Sequence, residues 1–408
     1  MTANKKSHFL TFLTVGLAKF FSVFISIFYT FYIINKYPNN ESSLYWQLLS
    51  FSYITSIFFR FGSELKSYQI SVRQPQIHIP PEVLFLISIS ALISLLYYYF
   101  LSLILLVGTE NNILISAKNS VFAAEMFAVS IIISEFLKGK GKFYISLYLY
   151  SSIYQICMLI LSYTKTDLLF AHNFSAATNL IFSIIALTSH LNRESFLILP
   201  RKKWMQTISS SLSFIIITAS HQFIAWSGTI FISLTSTPSN VNTFQVFLRI
   251  SGMYLFVVNT TDQIFAKNLV KNLENITSKV YSIYKYSCIL SFLGTTTITG
   301  LIYAIHQFSM PQVHSLNQIR QIPILYFLLF GSLISATPTF TNYLMINKRE
   351  NLFARNILLS CVTLILIYTS ISLLKFHFFE ATIFGYMISI LLYRSLNILS
   401  GREISRTK

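Results

Sequence analysis

Twelve long apolar stretches, separated by short polar loops, fill almost the whole of this chain. A helix needs about 20 apolar residues to cross the hydrocarbon core of a bilayer, so this spacing points to a polytopic membrane protein and excludes a soluble domain. Hydrophobic residues are 54% of the 408 and charged residues 11%, which leaves too little polar surface to clothe the chain in water. Strands of a membrane barrel would alternate over about 10 residues. Runs such as Leu101 to Val107 do not alternate. The expected fold is all-α, with spans near 9–34, 43–60, 82–107, 113–137, 144–163, 168–190, 207–232, 240–263, 286–306, 321–345, 356–375 and 379–399.

Charge gives the expected orientation. Lys and Arg number 30 against 13 Asp and Glu, a balance that in a soluble protein would suggest nucleic acid. Here the basic residues sort by loop. The N-terminus and every second loop hold 22 of them, including Lys5, Lys6, Lys138, Lys140, Lys142, Arg201, Lys202 and Lys203, and the other loops hold only Lys36, Lys165, Arg320 and Lys375. By the positive-inside rule both termini are cytoplasmic, and no nucleic-acid partner is expected. The first apolar run is too long for a signal-peptide core and is expected to stay as the first span. Cys157, Cys288 and Cys361 all fall within spans, so no disulfide framework or CxxC metal spacing is read.

The loop from Leu191 to Gln206 carries Pro200 and a basic cluster and divides the spans six and six. The expected organisation is an N-terminal lobe at 1–190, a cytoplasmic connection at 191–206 and a C-terminal lobe at 207–408. A weak internal repeat agrees: a shift of 198 residues brings Trp46-Gln47 onto Phe244-Gln245 and Glu64 onto Asp262, as parallel six-helix repeats would. No loop is long enough to hold a soluble catalytic domain.

An ionisable side chain at a helix centre costs about 2.5 to 3.5 kcal/mol on the insertion scale, so each one asks for a cavity or a partner. Lys19 lies centrally in the first span, with Gly16, Ser22, Ser26 and Thr30 on its face. Arg249 is central in the eighth, on a stripe with Gln245, Gly252, Asn259 and Gln263. The seventh offers Ser211, Thr218, Gln222 and Thr229 beside His221, and the fourth carries Lys118 and Glu125 two turns apart. Polar faces on four spans are most economically turned toward one water-filled cavity.

Each feature also has a plainer reading. Lys118 is close enough to the outer end to snorkel, and Ser and Thr stripes often mark helix packing alone. Glu125 reads either as a counter-charge to Lys118 or Lys19 or as a titrating group for ion coupling. His221 could titrate, although a neutral, hydrogen-bonded histidine is the commoner outcome. Arg60, Glu64 and Asp262 sit near inner helix ends, where gate salt bridges and interfacial solvation look alike, and solvation is the default. Pro338 should kink the tenth span, because it removes a hydrogen bond and crowds the preceding turn. Central Lys19 and Arg249, with Lys118 shallower, outnumber Glu125. An anionic substrate is therefore expected, since Arg grips phosphate oxygens in a forked geometry, with Gln245 and Gln222 as further contacts.

The stretch through the second span, ending Phe59-Arg60-Phe61-Gly62-Ser63-Glu64-Leu65, and the segment Leu344-Met345-Ile346-Asn347-Lys348-Arg349-Glu350-Asn351 resemble the O-antigen (Wzx-type) polysaccharide flippases. That family belongs to the superfamily that also holds the multidrug and toxin extruders (MATE) and the lipid II flippases. The resemblance implies twelve helices in two six-helix lobes around a central cavity, alternating between inward and outward openings, in the bacterial inner membrane. It places Lys19, His221 and Arg249 toward that cavity. It implies an oligosaccharide repeat unit on undecaprenyl diphosphate as substrate, no cofactor beyond H⁺ or Na⁺ coupling, and a polysaccharide polymerase and chain-length regulator as partners alongside membrane lipids. One departure is the turn Asn35-Lys36-Tyr37-Pro38-Asn39-Asn40, where relatives commonly carry glycines.

Two rivals are set against this reading. A drug/cation antiporter of the same superfamily would be expected to have an acidic cavity, and only Glu125 is centrally acidic. A polytopic polymerase or glycosyltransferase would need catalytic groups at the outer face, where the first outer loop offers Glu41 without a paired carboxylate. The eight histidines show no close metal-ligand or acyl-transfer spacing.

Overall fold

The computed structural model describes residues 21–73, 79–107, 112–142, 145–146, 148–164, 166–191, 200–271, 276–308, 314–337, 350–374 and 378–406, and among these no strand occurs. The helices are α1 (Phe21–Lys36), α2 (Asn39–Arg60), α3 (Ser63–Arg73), α4 (Pro81–Val107), α5 (Asn112–Gly139), α6 (Ile153–Tyr163), α7 (Leu168–Thr188), α8 (Arg201–Thr235), α9 (Pro238–Lys271), α10 (Ile276–Phe308), α11 (His314–Gln321), α12 (Ile324–Ala336), α13 (Glu350–Leu374) and α14 (Phe378–Arg406). Among the described residues, seven helices (α4, α5, α7, α8, α9, α13 and α14) are long and apolar enough to cross a membrane, and α1, α6, α10 and α12 carry shorter apolar stretches. The chain has an all-helical, polytopic membrane fold.

Two compact units divide the chain, Met1–Lys36 with Asn40–Gln222 and Tyr37–Asn39 with Phe223–Lys408. In the first, α5 is the hub: α3, α4 and α7 pack on it, and α6 packs on α7. Its small residues Ser120, Ala123, Ala124, Ala128 and Ser134 are buried and let neighbouring helices approach, as small residues do inside membranes. The apolar stretch of α5 is 78% buried and that of α4 only 22%. Helix α4 therefore shows Leu95, Leu96, Tyr99 and Phe100 outward, side chains suited to lipid.

In the second unit α13 pairs with α14, α10 packs on α9 and α12, and α9 also touches α11, α12 and α14. Its interior is aromatic. Phe244, Phe247, Phe327, Phe330 and Tyr386 form a connected set of ring contacts with centroids 5.7 to 6.5 Å apart, in the range where such pairs are favourable.

Three local features depart from the spans expected. Helix α2 is less apolar than its neighbours, but Ser42, Ser43, Ser50, Ser52, Thr55 and Ser56 are buried, turned into the protein and away from lipid. The segment after it is not a solvated loop. Phe61 (φ 35°) and Gly62 (φ 82°) turn the chain, and α3 then runs along α5, with Ser67 Oγ donating to the Ile132 carbonyl at 3.2 Å. Gly62 suits this turn doubly: its φ lies in the left-handed region, and a Cβ there would lie 2.1 Å from the Ser211 carbonyl oxygen. The third departure is at the tenth span, expected at 321–345: a separate short helix, α11, precedes it, and α12 begins after Pro323 at its N-cap.

Helix α12 ends at Ala336, and Thr337 leaves the helical region at φ −117°, ψ 67°, one residue before the proline expected to kink this span. Pro338 itself lies outside the described residues. The buried Arg394 of α14 donates from Nε to the Thr337 carbonyl at 2.7 Å, so a charged side chain supplies a donor that the interrupted helix no longer provides.

Candidate functional site

The candidate residues fall into separate places. In the second unit, Arg249 on α9 is partly buried, and its guanidinium carbon lies 5.5 Å from the centroid of the Trp226 ring on α8. Trp226 is only 9% exposed, so the indole is fixed in place. One turn away Gln245 Nε2 donates to Thr229 Oγ1 at 2.6 Å. Gln245 was expected to face substrate with the rest of its stripe. The structure instead buries it completely and engages its amide with the neighbouring helix.

The α8–α9 seam has a third contact. Phe244 packs on Gly228 so closely that a Cβ at 228 would lie 2.6 Å from the Phe244 ring. Trp226 with Arg249 and Thr229 with Gln245 follow one antiparallel direction, three residues forward on α8 and four back on α9, and Gly228 with Phe244 is a contact beside them. A packing seam and an ionisable residue therefore share a face of α9, which the sequence stripe could not separate.

In the first unit Lys118 and Glu125 both point at α4, in keeping with their two-turn spacing, but they do not pair. Lys118 Nζ sits 5.3 Å from the centre of the Tyr98 ring. The Glu125 carboxylate accepts from Ser90 Oγ at 3.3 Å, with Ser94 on the same side, and its other oxygen is buried without a hydrogen-bond partner among the described residues. The described salt bridges are Arg60–Glu64, Lys138–Glu135 and Lys203–Glu82. A Lys118 counter-charge for Glu125 is therefore not part of the structure.

Arg60 and Glu64 correct the default of interfacial solvation. Arg60 is 1% and Glu64 4% exposed. The guanidinium is held by the Ser56 carbonyl (3.2 Å), the Ser56 hydroxyl (3.3 Å) and Glu64 Oε1 (3.3 Å). This i,i+4 pair spans the turn at Phe61–Gly62 and ties α2 to α3. His221 is exposed and Gln222 half-buried on α8. Lys19 lies outside the described residues. So does the side chain of Asp262, whose backbone continues α9.

One polar cluster went unread in the sequence. His172 of α7 is completely buried, with Nδ1 2.6 Å from Tyr154 Oη and Nε2 2.9 Å from Ser52 Oγ, and Tyr154 Oη lies 2.7 Å from Tyr45 Oη. Four side chains thereby join α2, α6 and α7. Their sequence separations are as large as 120 residues, so no local spacing could have announced them. Among the described residues no group of three or more His, Cys, Asp or Glu is placed to hold a metal.

No family model matches this sequence, and no curated protein matches it. Its structure, in contrast, is similar to solved transporters. The eukaryotic MATE transporter AtDTX14 is matched with a TM-score of 0.63 at 13% identity, over 97% of this chain and 96% of that one. An inward-facing multidrug-resistance MATE transporter of the MOP superfamily is matched at 0.61 and 13%, over 98% of each chain. A MOP-superfamily transporter from Pyrococcus furiosus, described as having a binding pocket of reversed polarity, is matched at 0.59 and 11%, over 97% and 95%. Over nearly its whole length this chain has the fold of the MATE/MOP transporters.

Proposed function

We propose that the chain is an alternating-access transporter for an anionic, lipid-linked cargo, and specifically a flippase for undecaprenyl-diphosphate-linked oligosaccharide in a bacterial inner membrane. The fold likeness supports the transport mode, because the same fold is matched in structures described as inward-facing and as outward-facing, with TM-scores of 0.61 and 0.56. The observation that carries the sign of the cargo is Arg249, a guanidinium retained at the middle of a membrane-spanning helix and held on a buried indole.

Such a group is expensive to keep in a bilayer unless it is used, and it suits the oxygens of a diphosphate. The pocket of reversed polarity ascribed to the Pyrococcus furiosus transporter is consistent with this fold accepting cargo of more than one charge. Coupling to H⁺ or Na⁺ would fall to Glu125, whose carboxylate has an unbonded oxygen and no salt bridge among the described residues.

Cargo selectivity in proteoliposomes tests this reading. Wild-type protein should move a prenyl-diphosphate oligosaccharide under a proton or sodium gradient and leave a lipophilic organic cation untransported, and Glu125→Gln should remove the dependence on the gradient. Transport of the cation alone would replace the flippase by an antiporter. A gradient response unchanged in Glu125→Gln would remove that residue from the coupling step.

A further inference from the structure

We infer that Trp226 is a positioning residue for the anion site: it holds the Arg249 guanidinium in a fixed place on α9, so that the site is preorganised before cargo arrives. This rests on the cationic-site reading above and adds a residue that the charge pattern of the sequence could not supply. A cation over an indole face is held by the ring quadrupole, most strongly for Trp and more so when water is excluded.

The surrounding geometry argues that the arrangement is built in. Trp226 is almost wholly buried, and the helix that carries it is pinned to α9 on the same seam by Gln245 Nε2 to Thr229 Oγ1 at 2.6 Å. Phe244 packs on Gly228 beside this contact. With α8 and α9 joined there, the buried indole can hold a long, flexible arginine side chain in one place. Ordering that side chain in advance removes an entropy cost that binding would otherwise carry.

The test uses the full-length protein in detergent, titrated with farnesyl diphosphate as the anionic probe and farnesyl monophosphate as its less charged analogue, with thermal midpoints recorded for every variant. Trp226→Leu should weaken farnesyl diphosphate binding about three- to tenfold, the effect of losing a largely desolvated cation–π contact. Trp226→Phe, which keeps an aromatic face, should restore affinity to within about twofold.

In an Arg249→Ala background, Trp226→Leu should have no additional effect on binding, as a double-mutant cycle requires when one residue acts through the other. Trp226→Leu binding the probe as wild type does, while Arg249→Ala loses it, would overturn the positioning role and leave the cationic site standing. An equal loss in Trp226→Leu and Trp226→Phe, accompanied by a fall in thermal midpoint, would make the indole a packing residue only. Wild-type protein that binds neither probe would remove the cationic site and this inference together.

Discussion

At His172 the hydrogen bonds fix the chemistry of the ring. With Ser52 Oγ donating to the Leu48 carbonyl at 3.0 Å, the tautomer that donates from Nε2 to Ser52 and accepts at Nδ1 from Tyr154 satisfies both ring contacts. A neutral imidazole satisfies both contacts, and the cluster acts as a cross-tie between α2, α6 and α7. His172→Leu should remove a hydrogen-bond partner from both Ser52 and Tyr154, leaving Tyr154 only Tyr45, and destabilise the first unit by about 1–3 kcal/mol, read as a lower thermal midpoint of the detergent-solubilised protein. An unchanged midpoint would show the cross-tie to be dispensable. Arg249 was legible in the sequence because a lone charge in an apolar span stands out. Trp226, His172 and Tyr154 were not, because an aromatic or neutral histidine inside a span looks like any packing residue until distant helices are brought together.

Between elements, the turn at Phe61–Gly62 shows most clearly how local chemistry shapes this fold. Helix α2 would continue straight but for two residues with positive φ, and the Arg60–Glu64 pair closes across the bend with both side chains buried. Removing one partner of a buried pair leaves an uncompensated charge and costs about 3–5 kcal/mol, whereas replacing both with apolar groups of similar volume is close to neutral. Glu64→Gln should therefore unfold well below wild type in thermal or denaturant melts, and the double variant Arg60→Met with Glu64→Leu should recover most of the loss. A double variant no better than the single one would mean that the pair does more than neutralise itself. The seven long apolar helices were readable from length and apolarity alone. Helix α3 was not, since 11 residues with Glu64, Lys66 and Arg73 resemble a polar loop, and its pairing with α5 depends on buried Ser67 and Ser71. Pro338 led to the expectation of a kink, whereas the described helix ends at Ala336, and the donor to the Thr337 carbonyl, Arg394, comes from a helix 57 residues further on.

On the scale of the whole molecule, the account joins a transporter fold to a cationic contact inside one of its helices. The fold follows from the run lengths and is matched over nearly the whole chain by MATE/MOP structures at 11–13% identity, a level at which shape persists although sequence patterns have dissolved. The excess of basic over acidic residues is mostly a matter of membrane orientation and says little about cargo. The cargo assignment rests on Arg249. The measurement that tests it most directly is transbilayer movement of a prenyl-diphosphate oligosaccharide in proteoliposomes, wild type beside Arg249→Ala, at equal reconstituted amounts. Wild type should move the lipid and Arg249→Ala should slow it by about tenfold or more, since a hydrogen bond to a charged group is worth about 1.5–3 kcal/mol. Movement by Arg249→Ala at the wild-type rate would contradict the assignment.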